Sequence, residues 1–235
     1  MNTINPVFIA LDYPEASVAW RFLDRFPKNR QLAVKVGMEL FYREGPAFVT
    51  ALKERGYTVF LDLKLYDIPH TVGQATKNMT RLGVDYLTLH AAGGIRMMTA
   101  AKEATLTQTD GPKLLAITQL TSFTEDELQA TQQLAVSLND SVIHLAQLAQ
   151  KSGLAGVISS AYESQAIHGA TSESFLSITP GIRLLGDEQG DQSRVMTPAQ
   201  AQQRGANGIV VGRSITQALD PVATYEQIVT EFHKR

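Results

Sequence analysis

Asp62 and Lys64 stand two residues apart at the end of the apolar run Thr58-Val59-Phe60-Leu61-Asp62-Leu63, and Asp67 follows three positions later. On an extended chain, residues i and i+2 share a face. Asp62 and Lys64 therefore point one way, and Leu61, Leu63 and Leu65 the other. Asp12 closes an earlier apolar run over 7–11, and Lys35 interrupts Leu32-Ala33-Val34-Lys35-Val36. Burying an unpaired charge is costly, so charges in such places are paired, wetted by a cleft, or both. A lysine flanked by two carboxylates is held as the cation. Such a group suits delivery of a proton to a carbanion. It suits imine formation poorly, because that needs a lysine with a depressed pKa. The plain alternative is an ion-pair network that seals the end of a sheet, but four charges at three successive strand ends favour chemistry.

The elements that must hold these charges form a regular rhythm. Short β-type runs are expected at 7–11, 32–36, 58–63, 86–90, 113–117, 156–158, 175–178 and 208–211. Between them lie helical patterns: one through Trp20, Leu23 and Phe26, then 46–55, 70–82, 97–104, 141–150, 199–204 and 222–233. Strand–helix alternation implies parallel strands with right-handed crossovers. Eight strands suffice to close a (β/α)₈ TIM barrel, an α/β fold. No glycine fingerprint follows the first strand, which disfavours a doubly wound open sheet. With no linker or low-complexity tract, the expectation is one domain over 1–235. Active groups of such barrels sit at the C-terminal ends of strands, where the charges fall.

The last two strands lead into a second constellation. The seventh runs into Thr179-Pro180-Gly181-Ile182-Arg183 and the eighth into Val211-Gly212-Arg213-Ser214-Ile215. Loops in these positions often bind phosphate. Gly212 would let backbone N–H groups approach an anion, and Arg213 would bring a fork of donors at a helix start. The plain alternative is a helix cap with a solvated arginine. The polar segment 184–195 is long for a strand–helix connection and is expected to close over a ligand, with Gln192 as the contact. Otherwise it is a passive surface excursion.

Composition narrows the function classes. The formal net charge of −2 gives no bulk attraction to nucleic acid or an anionic membrane, so neither is expected as a partner. The chain has no cysteine, which removes disulfides, thiolate metal sites and a cysteine nucleophile. The first residues carry no basic and apolar signal pattern, and no run nears the ~20 apolar residues of a membrane span, so a cytoplasmic location is expected. No cluster of metal ligands and no nucleotide-binding glycine motif is present, so no cofactor is expected. Among the remaining polar residues, His90 ends a strand and reads as support for the mouth, and Ser159-Ser160 as polar wall. His70, His144, His168 and His233 read as helix or surface residues, Met97-Met98 as packing, and Phe123 as a neighbour of the closing segment.

The string Asp62-Leu63-Lys64-Leu65-Tyr66-Asp67-Ile68-Pro69-His70-Thr71 resembles the signature of the orotidine 5′-monophosphate decarboxylase family. Leu11-Asp12, Val34-Lys35-Val36-Gly37, Gln119-Leu120-Thr121-Ser122, Thr179-Pro180-Gly181-Ile182-Arg183 and Val211-Gly212-Arg213 agree in order, over about 7–215. The resemblance implies a cofactor-free carboxy-lyase of pyrimidine biosynthesis that converts orotidine 5′-monophosphate to uridine 5′-monophosphate. By the same resemblance, Lys64 would protonate C6, in a charged array with Asp62, Asp67 and Lys35. Asp12 and Lys35 would hold the ribose, and Thr121 and Ser122 would meet the pyrimidine. Arg183, Gln192, Gly212 and Arg213 would grip the phosphate. Asp67 and Thr71 would serve the neighbouring subunit's site, making a homodimer.

Two other readings stay open. A Mg²⁺-dependent sugar-phosphate decarboxylase or aldolase shares the Asp-x-Lys-x-x-Asp array, but that class follows the second aspartate with a small residue and glycine, where Ile68-Pro69 stands here. A non-catalytic phosphoribosyl-binding barrel would keep Gly212 and Arg213 and could lose Lys64.

Overall fold

The computed structural model describes residues 5–187 and 195–234. Eight parallel strands close a barrel in sequence order. They are β1 (Val7–Ala10), β2 (Ala33–Gly37), β3 (Thr58–Leu65), β4 (Tyr86–His90), β5 (Lys113–Ile117), β6 (Gly156–Ile158), β7 (Leu176–Thr179) and β8 (Gly208–Val211). Around them run α1 (Ala16–Leu23), α2 (Met38–Glu54), α3 (Pro69–Thr80), α4 (Gly94–Thr105), α5 (Glu125–Gln132), α6 (Leu138–Lys151), α7 (Ser164–Ala170), α8 (Pro198–Gln203), α9 (Arg213–Thr216) and α10 (Pro221–His233). The expected TIM barrel is therefore the fold. No helix among the described residues is long and apolar enough to cross a membrane.

Alternation along each strand makes two apolar layers. Val7, Ile9, Val34, Val36, Val59, Leu61 and Leu63 face outward into the large core shared with the helices. Phe8, Phe60, Leu115, Ile178 and Val210 face inward and fill the barrel. Phe8 meets Phe60 and Tyr86 edge-on, each at 5.2 Å between ring centroids. The inward set includes Gly156, where a Cβ would come within 2.2 Å of the Leu176 carbonyl oxygen. The same two-residue period that buries these side chains turns Asp12, Lys35 and Asp62 toward the barrel axis.

Several local features depart from expectation, among them helix α7, which was not anticipated. The helix expected at 46–55 begins earlier: α2 starts at Met38 and breaks at Gly45, whose φ of 69° and ψ of −168° are not helical, before Pro46 restarts it. In its first segment Leu40 is fully buried while Met38 and Tyr42 are exposed, so the amphipathic signal was weak. Helix α5 was not anticipated. Leu128 is its one buried residue, and its start is fixed by a capping box between Thr124 and Glu127. Strand β3 extends to Leu65, with its pairing to β4 shifted between Leu61 and Leu65. The charged pair therefore lies inside an irregular strand rather than at the end of a regular one.

Candidate active site

At the C-terminal ends of the strands opens a cavity of about 760 Å³. One side is charged, with Asp12, Lys35, Asp62 and Lys64 from the ends of β1, β2 and β3. Ile117, Ile158 and Val210 of β5, β6 and β8 add an apolar lining together with Phe60 of β3. Arg183, Gly212 and Arg213 line the rim contributed by the loops after β7 and β8.

The charged wall is a continuous chain of ion pairs. Lys35 Nζ donates to Asp12 Oδ1 at 2.8 Å and lies 3.9 Å from Asp62 Oδ2. Lys64 Nζ donates to that same Asp62 oxygen at 2.8 Å. The side chains of Lys35 and Asp62 are only 11% and 13% exposed, so these pairs are shielded from solvent, whereas Asp12, at 58%, stands at the lip. Burial acts to raise the Asp62 carboxyl, but the cations of Lys35 and Lys64 and the hydrogen bonds from Lys64 and Thr88 outweigh it. The carboxyl sits below its ordinary range and is ionised. Gly37 keeps room for this chain, since a Cβ there would lie 3.0 Å from Lys35 Nζ.

Lys64 and Asp62 do share a face, as the two-residue spacing suggests. The backbone at Lys64, however, lies in the left-handed region, with φ of 51°. Thr88 was not foreseen. It is a polar residue on an inward position of β4 and donates to Asp62 Oδ1 at 2.8 Å. An inward threonine in a strand carries no signal without knowledge of its neighbour. Tyr13, Thr216 and Gln217 also line the cavity and were not singled out. Burial pushes the Tyr13 phenol up to about 12, against a smaller opposing pull from Thr216.

Thr121 and Ser122 line the cavity as expected. Their loop is anchored by the buried Gln119, whose Nε2 donates to Ser141 Oγ of α6 at 2.9 Å and to Gln132 Oε1 of α5 at 3.2 Å. The unforeseen α5 therefore supports this loop. At the rim, Gly181 has a φ of 77°, which turns the chain sharply after β7. Arg183 is buried, and its Nη1 donates to the Ile182 carbonyl at 2.9 Å. Ile182 and Met196 form an isolated parallel bridge that pins together the two ends of segment 184–195. Gln192 lies outside the described residues. Gly212 is not demanded by the protein's own packing, since a Cβ there would make an ordinary 3.7 Å contact with Ala10.

Some expected members lie elsewhere. Asp67 and Thr71 are exposed and do not line their own chain's cavity. Asp67 Oδ1 accepts from the Ile68 amide at 2.7 Å. Ser159 and Ser160 are not cavity wall. Both are buried, and Ser159 faces out of the barrel to pair with Ser177 at 3.0 Å, because Ile158 takes the inward position. His90 packs against Tyr66 at 5.4 Å between centroids. Burial and then the Lys64 cation lower its pKa, against an opposing pull from Asp62. Among the described residues, no group of three His, Cys, Asp or Glu converges as a cation site.

A barrel whose C-terminal mouth carries charged, apolar and arginine lining has the form of a small-molecule enzyme site with a polar and an apolar side. Residues 5–228 match the model of the orotidine 5′-phosphate decarboxylase / HUMPS family, and the chain belongs to that family. It is 53% identical to the orotidine 5′-phosphate decarboxylase of Oenococcus oeni, over 97% of this chain and 98% of that one. It is 52% identical to the enzyme of the same name from Lactiplantibacillus plantarum, again over 97% and 98% of the two chains. The crystal structure of orotidine 5′-phosphate decarboxylase from Lactobacillus acidophilus superimposes with a TM-score of 0.88 at 39% identity, covering 98% of this chain and 100% of that one.

Proposed function

We propose that this chain decarboxylates orotidine 5′-monophosphate to uridine 5′-monophosphate, the last step in making that pyrimidine nucleotide, without a cofactor and as a cytoplasmic homodimer. The observation that carries the reading is the run of charges from Asp12 through Lys35 and Asp62 to Lys64, facing one cavity with the arginine rim.

The chemistry follows from the charges. The bond between C6 and its carboxylate carbon breaks, CO₂ leaves, and the electron pair stays on C6. The Lys64 ammonium gives its proton to C6, and the neutral amine is reprotonated from solvent. At an effective dielectric near 20, a unit cation about 4 Å from the developing charge contributes about 4 kcal/mol. That is too little alone for so poorly stabilised a carbanion. The remainder comes from binding energy realised away from the reacting bond. Arg183, Gly212, Arg213 and Gln192 grip the phosphate, and closure of segment 184–195 expels water. Asp12 and Lys35 hold the ribose hydroxyls, and Thr121 and Ser122 the pyrimidine. The carboxylate array also crowds the substrate's carboxylate, which favours its departure.

The dimer is supported by what neighbours Asp67 and Thr71 in the chain. Both are exposed, and Tyr66 and Ile68 beside Asp67 are exposed large side chains. An apolar surface of that kind fits a second copy, whose site would receive Asp67 and Thr71.

The reading is tested by following the ultraviolet absorbance of orotidine 5′-monophosphate with purified protein in excess EDTA. Loss of the substrate band, unaffected by EDTA, is expected. No turnover by folded protein, with activity on sugar phosphates in Mg²⁺ instead, would overturn it.

A further inference from the structure

Between the pairs Leu61–Leu87 and Leu65–Leu89, β3 has three residues, Asp62, Leu63 and Lys64, where β4 has one, Thr88. The excess is a bulge, and Thr88 is the single residue of β4 that lies opposite it. Bulges leave backbone groups without ladder partners. Here the Lys64 N–H turns away from the ladder and donates to Thr88 Oγ1 at 2.9 Å. The hydroxyl has one proton and has already accepted from Lys64. It therefore donates that proton to Asp62 Oδ1, at 2.8 Å. Thr88 is fully buried, so no water stands ready to replace it.

We propose that Thr88 is a positioning residue for the decarboxylation assigned above: one hydroxyl fixes both the Asp62 carboxylate and the left-handed backbone that aims Lys64 at the substrate. The inference rests on that reading for its kinetic consequence but not for its hydrogen bonds. Lys64 and Gln133 are the non-glycine residues of positive φ among those described, and Gln133 is an exposed helix end. A left-handed lysine persists where its surroundings over-determine it. The amide bond to Thr88 supplies that restraint from the backbone, and the Asp62 contact supplies it from the side chain. Sequence position 88 therefore acts on the proton donor without touching substrate.

The test compares Thr88→Val, which keeps the shape and removes the hydroxyl, with Thr88→Ser, which keeps the hydroxyl. Three quantities are read: kcat and KM for orotidine 5′-monophosphate, affinity for uridine 5′-monophosphate, and the titration of the Asp62 carboxyl by ¹³C NMR. In Thr88→Val, kcat is expected to fall on the order of ten- to a hundredfold with KM and product affinity little changed. Asp62 is expected to titrate at higher pH, because a donor to its ionised form is gone. Thr88→Ser is expected to behave as wild type in all three. Wild-type kcat and Asp62 titration in Thr88→Val would overturn the proposal, as would a loss in Thr88→Ser equal to that in Thr88→Val, since packing alone would then explain it. If Thr88→Val does not fold, Thr88→Cys takes its place, with a thiol of similar size and weak hydrogen bonding. If the wild type does not turn over orotidine 5′-monophosphate, the functional reading fails, while the Asp62 titration still decides whether Thr88 holds that carboxylate.

Discussion

Lys64 Nζ donates to Asp62 Oδ2 at 2.8 Å from a backbone held at φ of 51°. The cation is thus aimed by its carboxylate partner as well as by its own main chain. Asp62→Asn keeps the size of the side chain and removes the charge. Its kcat is expected to fall on the order of a hundredfold, since small misplacement of a reacting group has that scale of effect. Affinity for uridine 5′-monophosphate is expected to hold or improve, because the product lacks the carboxylate that Asp62 is proposed to crowd. Steady-state kinetics beside a product titration checks both.

The depressed Asp62 carboxyl has a consequence for stability. A group whose folded pKa lies below its unfolded value contributes stability that is present above the unfolded value and lost as pH falls through the folded one. For Asp62 that loss begins near the ordinary value of 3.8 and deepens below it. Urea unfolding at a series of pH values is expected to show stability falling through this window in the wild type and falling less steeply in Asp62→Asn. Equal acid slopes would contradict the assignment.

The strands and the inward charges were legible because a two-residue period is a local property. Lys35 and Asp62 interrupt apolar runs on the face that turns inward, one step beyond the inward Ala33 and Phe60. What escaped was set by partners distant in sequence. The left-handed turn at Lys64 depends on Thr88, 24 positions away. Helix α5 buries little beyond Leu128, so its pattern carried no apolar stripe, yet Gln132 at its end helps to anchor the loop that presents Thr121 and Ser122. Ser159 and Ser160 follow a strand of only three residues, and the register that turns Ser159 outward is set by pairing with β7.

The arginine rim predicts a separation of kinetic effects. Arg213 lines the cavity from the loop after β8, on a different element from Asp62 and Lys64 of β3. Arg213→Ala is expected to lower kcat/KM on the order of ten- to a hundredfold, the usual scale for losing a charged hydrogen bond. A substrate analogue lacking the phosphate is expected to lose nothing further from the same substitution. An equal loss with both substrates would place Arg213 outside the phosphate site.

The proposed sharing of active sites between subunits predicts complementation. Lys64→Ala and Asp67→Ala homodimers are each expected to be nearly inactive. Mixed and allowed to exchange, half of the dimers become hybrids with one intact site of two, so activity is expected to recover to about a quarter of wild type. No recovery, with exchange of subunits verified by mass, would remove Asp67 from the neighbouring site.

The central claim is that Lys64 carries the proton to C6, and Lys64→Ala tests it most directly. The variant is assayed for loss of orotidine 5′-monophosphate and, on the same sample, for binding of uridine 5′-monophosphate. The account predicts that turnover disappears while the product still binds, since the arginine rim and the proposed ribose contacts are untouched. Turnover within about tenfold of wild type, a barrier change of only about 1.4 kcal/mol, would contradict it.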